Sequence, residues 1–312
     1  MSQLPSQTSH RAEYPSTRSN PEKQKMTFLQ SLLTGSLAGI TEVMIDHPLF
    51  VLKLFVQTDK ENGMRRSYET RPQHMLRVAQ YFRADPVRLL YRGLTLNLLS
   101  MTPITATQVG LNTFFQKACF DDRPLSGAEK LITAFAAGAG SALISGPAER
   151  MMTLQNSNPG HSFISIGKTV WEKGGIRSLA VGTPGTMGRD GLFSAFFLAG
   201  MPLLKDLIQS HLAPMINTNG QATLLAGTTS GILATILSHG FDTVKAKQQA
   251  CSLEKPALSF LKSAKEIYAE AGIQGFTKGM PARGARVVSA ITIIGTVTEE
   301  MTNLFERGAL SS

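Results

Sequence analysis

The chain is organised around the stretch Gly35 to Gln57, GSLAGITEVMIDHPLFVLKLFVQ. It starts as an apolar helix with small residues at helical spacing, Gly35, Ala38 and Gly39. Pro48 interrupts it, and an apolar run carrying one cation, Lys53, follows. A proline inside a helix removes a backbone hydrogen bond and bends the chain. A cation at membrane depth is costly unless it meets a partner or water. The pattern therefore predicts a kinked, membrane-spanning helix with one face turned to a polar interior.

The same pattern occurs twice more. With Pro48 aligned on Pro147 and Gly240, the glycines Gly39, Gly138 and Gly231 fall into one register. So do Ala38, Ala137 and Ser230, and Gly35, Ala134 and Gly227. Small residues one turn apart on one face let helix backbones approach closely in lipid. A second anchor lies downstream: Gly93, Gly182 and Gly279 each open an apolar segment, with Pro86, Gly175 and Gly272 standing ahead of them in register. The chain divides into three units, 26–124, 125–220 and 221–312, each two long apolar segments joined by a polar link. The predicted spans are 27–57, 94–119, 126–155, 184–209, 222–249 and 281–306. Each has room for the ~20 residues that cross a bilayer. The links carry amphipathic pieces, HMLRVAQYF, SIGKTVWEK and FLKSAKEIYAEAG, too short and too polar to span and expected at the surface. The predicted fold class is an all-α membrane protein with six transmembrane helices in three pseudo-symmetric repeats. Residues 1–25, rich in Ser, Thr, Pro and Gln and bearing both charges, read as a disordered tail without the apolar core of a secretory signal.

Composition supports a water-lined membrane protein. Apolar residues make up 42% and charged residues only 17% of 312, and the mean hydropathy is near zero. The net charge of +9 points to anionic lipid rather than nucleic acid, because aromatics are few and the basic residues are not blocked together. The first link alone holds Arg65, Arg66, Arg71, Arg77, Arg83 and Arg88. Cys119 and Cys251 lack CxxC or metal spacing and read as free thiols. The histidines are scattered, and no HExxH, GxxxxGK[ST] or GxGxxG occurs, so the expectation is no enzyme, no cofactor and no metal. A soluble helical-repeat scaffold is the reading from another class. It needs polar outer faces, which the run RVVSAITIIGTV does not supply.

Three such units resemble the mitochondrial carrier family, whose odd-numbered spans carry P-x-[DE]-x-x-[KR], often with a glutamine nine residues after the proline. The first unit reads PLFVLKLFVQ: Pro48, Lys53 and Gln57 fit, and Phe50 replaces the acid. The second reads PAERMMTLQN: Pro147 and Glu149 fit, Met152 replaces the base, and Asn156 takes the glutamine slot. The third reads GFDTVKAKQQ: Gly240 replaces proline, and Asp242, Lys245 and Gln249 fit. The resemblance implies helix kinks at Pro48, Pro147 and Gly240, and a ring of ion pairs closing the matrix side. It pairs Glu149 with Lys245 and Asp242 with Lys53, braced by Gln57 and Gln249. The third pair becomes Phe50 with Met152. Replacing both partners of a buried pair by apolar groups can be neutral, whereas removing one strands a charge, and a Phe–Met contact is itself favourable. Toward the cytoplasm the family's second gate is thin here (Thr113, Gln116, Pro202, Lys205, Glu299, Met301), so an outward-open resting state is expected.

The resemblance further implies a monomeric, multi-pass antiporter of the mitochondrial inner membrane. Substrate contacts are expected about two turns into each even-numbered span, at Ser100, Arg189 and Arg286, with Asp190 and Arg283 beside them. Arg189 and Arg286 would fork onto a carboxylate and Asp190 would take an ammonium, which favours an amino-acid-like or carnitine-like zwitterion. The alternative is a nucleotide, with Arg189, Arg283 and Arg286 on its phosphates. The degenerate signatures leave room for an unusual member, such as a nucleotide carrier exported by a bacterial pathogen. Arg92 with Gly93, and Lys278 with Gly279, match the family's cardiolipin-binding pattern at helix N-termini.

Overall fold

A computed structural model describes residues 26–61, 90–91, 94–120, 123–157, 163–212, 218–249, 259–277 and 279–310. Several side chains within these segments, those of Phe50, Lys53, Gln57, Ser100 and Met152 among them, lie outside the described set. Every described element is a helix. They are α1 (Phe28–Glu61), α2 (Leu94–Phe120), α3 (Gly127–Ser157), α4 (Phe163–Leu179) and α5 (Thr183–Leu212). After these come α6 (Asn219–Gln249), α7 (Phe260–Ala271), α8 (Gln274–Thr277) and α9 (Met280–Leu310). The six predicted spans correspond to α1, α2, α3, α5, α6 and α9. Among the described residues, α3, α5, α6 and the first 21 residues of α1 are apolar and long enough to cross a membrane. The other two long helices carry more polar side chains, among them Thr105, Gln108 and Asn112 on α2 and Arg283 and Arg286 on α9.

The six long helices pack in chain order, and α9 returns to α1, closing a ring. The small residues set the seams. A Cβ on Gly35 would come 2.8 Å from the Cα of Ala106, and one on Gly231 2.6 Å from the Cα of Val288. One on Gly138 would come 2.1 Å from the carbonyl oxygen of Asp190. Ala38, Ala137 and Ser230 are fully buried beside them. The sequence register therefore binds each odd-numbered span to the next span of its own unit: α1 to α2, α3 to α5, α6 to α9.

Pro48 and Pro147 sit inside α1 and α3, which continue through them, as α6 continues through Gly240. One departure from a plain helix was not legible. In α5 the turn Phe196–Gly200 is a π-helix. The Oγ of Ser230 on α6 donates 2.6 Å to the carbonyl of Phe196, which also accepts from the N–H of Met201. A side chain inserted into the helical ladder in this way is a known cause of such bulges.

The link pieces SIGKTVWEK and FLKSAKEIYAEAG lie on α4 and α7, short helices with exposed Trp171, Ile164, Leu261 and Tyr268. α4 docks through Ile166 and Val170 onto Leu154 of α3. The piece HMLRVAQYF lies outside the described residues.

The second set of sequence anchors has a backbone cause. Gly175 and Gly272 adopt φ 55° and 58°, and Gly182 and Gly279 adopt φ 86° and 83°. The two later units thus break their surface helices, within α4 at Gly175 and after α7 at Gly272, and enter their second spans by matching positive-φ glycines. Pro86, at the corresponding position of the first unit, lies outside the described residues. Gly279→Ala isolates the backbone cost, since nothing lies within 4 Å of the added methyl. It is expected to lower stability by about 1–2 kcal/mol. Gly182→Ala is expected to cost more, because its Cβ would also meet the Cγ of Gln249 at 2.9 Å. Unfolding midpoints of the two variants in detergent check the order.

A charged central cavity

At the centre of the ring is a cavity of about 160 Å³ to which all six long helices contribute. Glu42 comes from α1, Gln108 from α2, Glu149 from α3, Arg189 from α5, Asp242 from α6 and Arg286 from α9.

One network spans α3, α5, α6 and α9. Glu149 accepts from Lys245 Nζ on one oxygen and from Arg189 Nη2, at 2.8 Å, on the other. The same guanidinium donates through Nε to Asp190 Oδ1 at 2.7 Å, and its Nη1 lies 3.5 Å from Asp242 Oδ1. Ser145 Oγ on α3 donates to Asp190 Oδ2 at 2.7 Å. Arg283 Nε stands 3.7 Å from Asp242 Oδ2, and its Nη2 donates to Ser238 Oγ at 3.0 Å. Cations and carboxylates alternate through this chain, which offsets the cost of drawing each charge away from water.

Glu149 and Lys245, expected to face each other, are in contact. Arg189, Asp190, Arg283 and Arg286, expected at the substrate position, all line the cavity. The side chains of Lys53, Phe50, Met152, Gln57 and Ser100 lie outside the described set, as do Arg92, Gly93 and Lys278. On its cavity side Asp242 meets Arg189 and Arg283. Gln249 is buried at the end of α6, and its carbonyl accepts from the guanidinium of Arg150 on α3. The sequence reading kept the gate and the substrate position apart. In the structure one residue joins them, because Arg189 is long enough to cross from α5 to Glu149.

Two carboxylates were missed. Glu42 and Asp46 stand one turn apart on α1, 5% and 2% exposed. Asp46 Oδ1 accepts from Ser289 Oγ at 2.6 Å, and Glu42 lies 3.9 Å from Arg286 Nη2. The available signal was two acids in an apolar span, which are functional candidates by default. The family signature begins only at Pro48 and drew attention past them. Beside Asp46, the buried His47 places Nδ1 3.1 Å from Nδ2 of Asn97 on α2. At the far end of the ring, Lys205 on α5 is joined to Glu299 on α9 at 2.5 Å. Thr113 and Gln116 bond instead to Ser31 and to Asn112 of their own helix. The thin end anticipated from sequence thus holds one inter-helix ion pair among the described residues.

Comparison with known proteins agrees with this architecture. The family described as mitochondrial carrier protein matches residues 24–123 and 217–309, most of the first and third units. The chain is 29% identical over 281 residues to the mitochondrial carnitine carrier of Saccharomyces cerevisiae, covering 85% of this chain and 84% of that protein. It is 25% identical over 305 residues to the mitochondrial 2-oxodicarboxylate carrier 2 of the same yeast, covering 92% and 97%. To the mitochondrial citrate transporter B of Aspergillus niger it is 24% identical over 288 residues, covering 89% and 94%. With helix pairs closed into a ring around a charged cavity, and with these matches along most of its length, the chain belongs to the mitochondrial carrier family: it is a multi-pass transporter of the mitochondrial inner membrane that moves a small-molecule substrate, and not an enzyme.

Proposed function

We propose that this carrier exchanges a small zwitterion, amino-acid-like or carnitine-like, by alternating access. The observation that carries this reading is the mixed charge of the cavity wall. Arg189, Arg283 and Arg286 stand among Glu42, Glu149, Asp190 and Asp242. A site built for phosphates needs cations in excess, whereas here each guanidinium already has a carboxylate beside it. Similarity to a carnitine carrier supports the same class.

The network supplies a mechanism. A substrate carboxylate that engages Arg189 competes with Glu149 for the guanidinium. Glu149 then holds Lys245 differently, and the matrix gate to which this pair contributes is weakened. Substrate drives this change only through its differential affinity for the two states. Arg92 with Gly93 and Lys278 with Gly279 are the proposed cardiolipin-binding residues, the helix start at Gly279 offering N–H groups to phosphate, and the carrier works as a monomer of three units, 26–124, 125–220 and 221–312.

Purified protein in liposomes preloaded with unlabelled solute should take up labelled carnitine or a neutral amino acid saturably. It should ignore labelled ATP. Uptake of ATP, or of a 2-oxodicarboxylate alone, would overturn the zwitterion reading.

A further inference from the structure

Charge is balanced unevenly around the cavity. Across α3, α5, α6 and α9, the carboxylates Glu149, Asp190 and Asp242 are matched by Lys245, Arg189 and Arg283, one cation for each anion. The α1 wall differs. It carries Glu42 and Asp46, both more than nine-tenths buried, against Arg286. The neighbouring α2 contributes Thr105 and Gln108 to the cavity, both uncharged. From α9, the groups that face this wall are Arg286 and Ser289, with Arg283 farther along on Asp242.

The two walls also differ in how fully their oxygens are used. Asp190 has Arg189 on one oxygen and Ser145 on the other. Glu149 has Lys245 on one and Arg189 on the other. Asp46 has Ser289 on Oδ1, while Oδ2 is buried without a hydrogen-bond partner. Among the described residues Glu42 has one ion-pair partner, Arg286, at 3.9 Å. That distance is too long for a hydrogen bond. A carboxyl group so held, facing a cavity, is under-satisfied, and one turn away Asp46 leaves a second buried oxygen without a hydrogen-bond partner behind it.

We infer that Glu42, backed by Asp46, is the seat of the substrate's cationic nitrogen, and that Arg286 turns to the substrate's carboxylate when Glu42 is engaged. This deepens the zwitterion reading and rests on it. A zwitterion exchanges the long Glu42–Arg286 pair for two direct contacts and leaves no charge stranded. A dicarboxylate satisfies Arg286 but leaves two buried carboxylates with no cation, an arrangement that is strongly unfavourable. Glu42 is therefore a specificity-determining residue: it selects by repelling the dianion as well as by attracting the cation. Asp190, which the sequence favoured for the ammonium, has both oxygens committed before substrate arrives.

The test is uptake by liposomes carrying the wild type, Glu42→Gln or Glu42→Asp, with labelled carnitine, labelled glycine and labelled 2-oxoglutarate as probes. Glu42→Gln is expected to raise the KM for the transported zwitterion about tenfold or more. It should also raise the rate for 2-oxoglutarate relative to the zwitterion, and Glu42→Asp should restore much of the zwitterion affinity. An unchanged KM in Glu42→Gln, or a fall in maximal rate that Glu42→Asp does not rescue, overturns the assignment. If Glu42→Gln does not fold, Glu42→Ala, which removes the carboxylate without adding an amide, decides in its place. A KM raised at constant maximal rate supports the seat, and an unchanged KM refutes it. A wild type that moves neither carnitine nor glycine sinks the zwitterion reading itself. A wild type that moves one of them, with Glu42 variants indistinguishable from it, sinks only this inference.

Discussion

Glu149→Ala is expected to abolish exchange and to lower the unfolding midpoint in detergent by roughly 10 °C, the equivalent of about 3–5 kcal/mol. The reason is geometric. Glu149 is the shared anion of Lys245 and Arg189, so its loss strands Lys245 and takes from Arg189 one of its carboxylates. The same sharing predicts the behaviour of a charge swap. For an isolated pair, exchanging the two charges restores the interaction. Here Glu149→Lys combined with Lys245→Glu sets the new lysine against Arg189, which stays anchored on Asp190. The swap is therefore expected to remain inactive and unstable. Lys245→Ala added to Glu149→Ala should instead recover part of the midpoint, since Arg189 keeps Asp190 and Asp242 nearby. Scanning fluorimetry and liposome exchange on the three variants decide it. Full rescue by the swap would show that Glu149 and Lys245 act as a simple pair and that Arg189 is not part of the latch.

Gly138→Ala should be nearly as damaging, by packing rather than charge. Its methyl would come 2.1 Å from the carbonyl oxygen of Asp190 and 2.6 Å from Ser194 Oγ. A backbone carbonyl cannot yield without moving α5, and α5 carries Arg189 and Asp190 into the cavity. A cost of about 3 kcal/mol or more is expected, together with loss of exchange. Gly220→Ala is the control. Nothing lies within 4 Å of its added methyl and its φ is ordinary, so the same substitution in an open helical setting should stabilise by about 0.4–1 kcal/mol. Equal effects at the two positions would contradict the close seam between α3 and α5.

Much of this architecture was written in one dimension. The register of Gly35, Ala134 and Gly227 with Gly39, Gly138 and Gly231 gave three helix pairs, because close approach in lipid demands the absence of side chains at repeated positions. Gly175, Gly182, Gly272 and Gly279 were legible as anchors, and each does adopt a backbone conformation that side chains disfavour. The contact of Glu149 with Lys245 was expected from the family resemblance, which sets the acid of one unit's signature against the base of the next. These features share a cause: each is dictated by residue type at a fixed place in a repeating element, so the repeat itself makes them visible.

What only the tertiary structure decided depends on how far a side chain reaches and on which helix stands opposite. Arg189 could have ended on Asp190 alone, and the turn of α3 toward α5 placed Glu149 within its span. Arg150 finds the carbonyl of Gln249 and Ser230 finds that of Phe196, two backbone acceptors that carry no signature in sequence. Glu42 and Asp46 were plain to read as acids in an apolar span, yet their shared dependence on α9, through Arg286 and Ser289, exists only because the last helix folds back onto the first. Sequence set the lengths, the seams and the charges of this protein. Closure of the ring set which charges meet, because long flexible side chains choose partners by distance across helices, and that distance is fixed only when every helix has been placed.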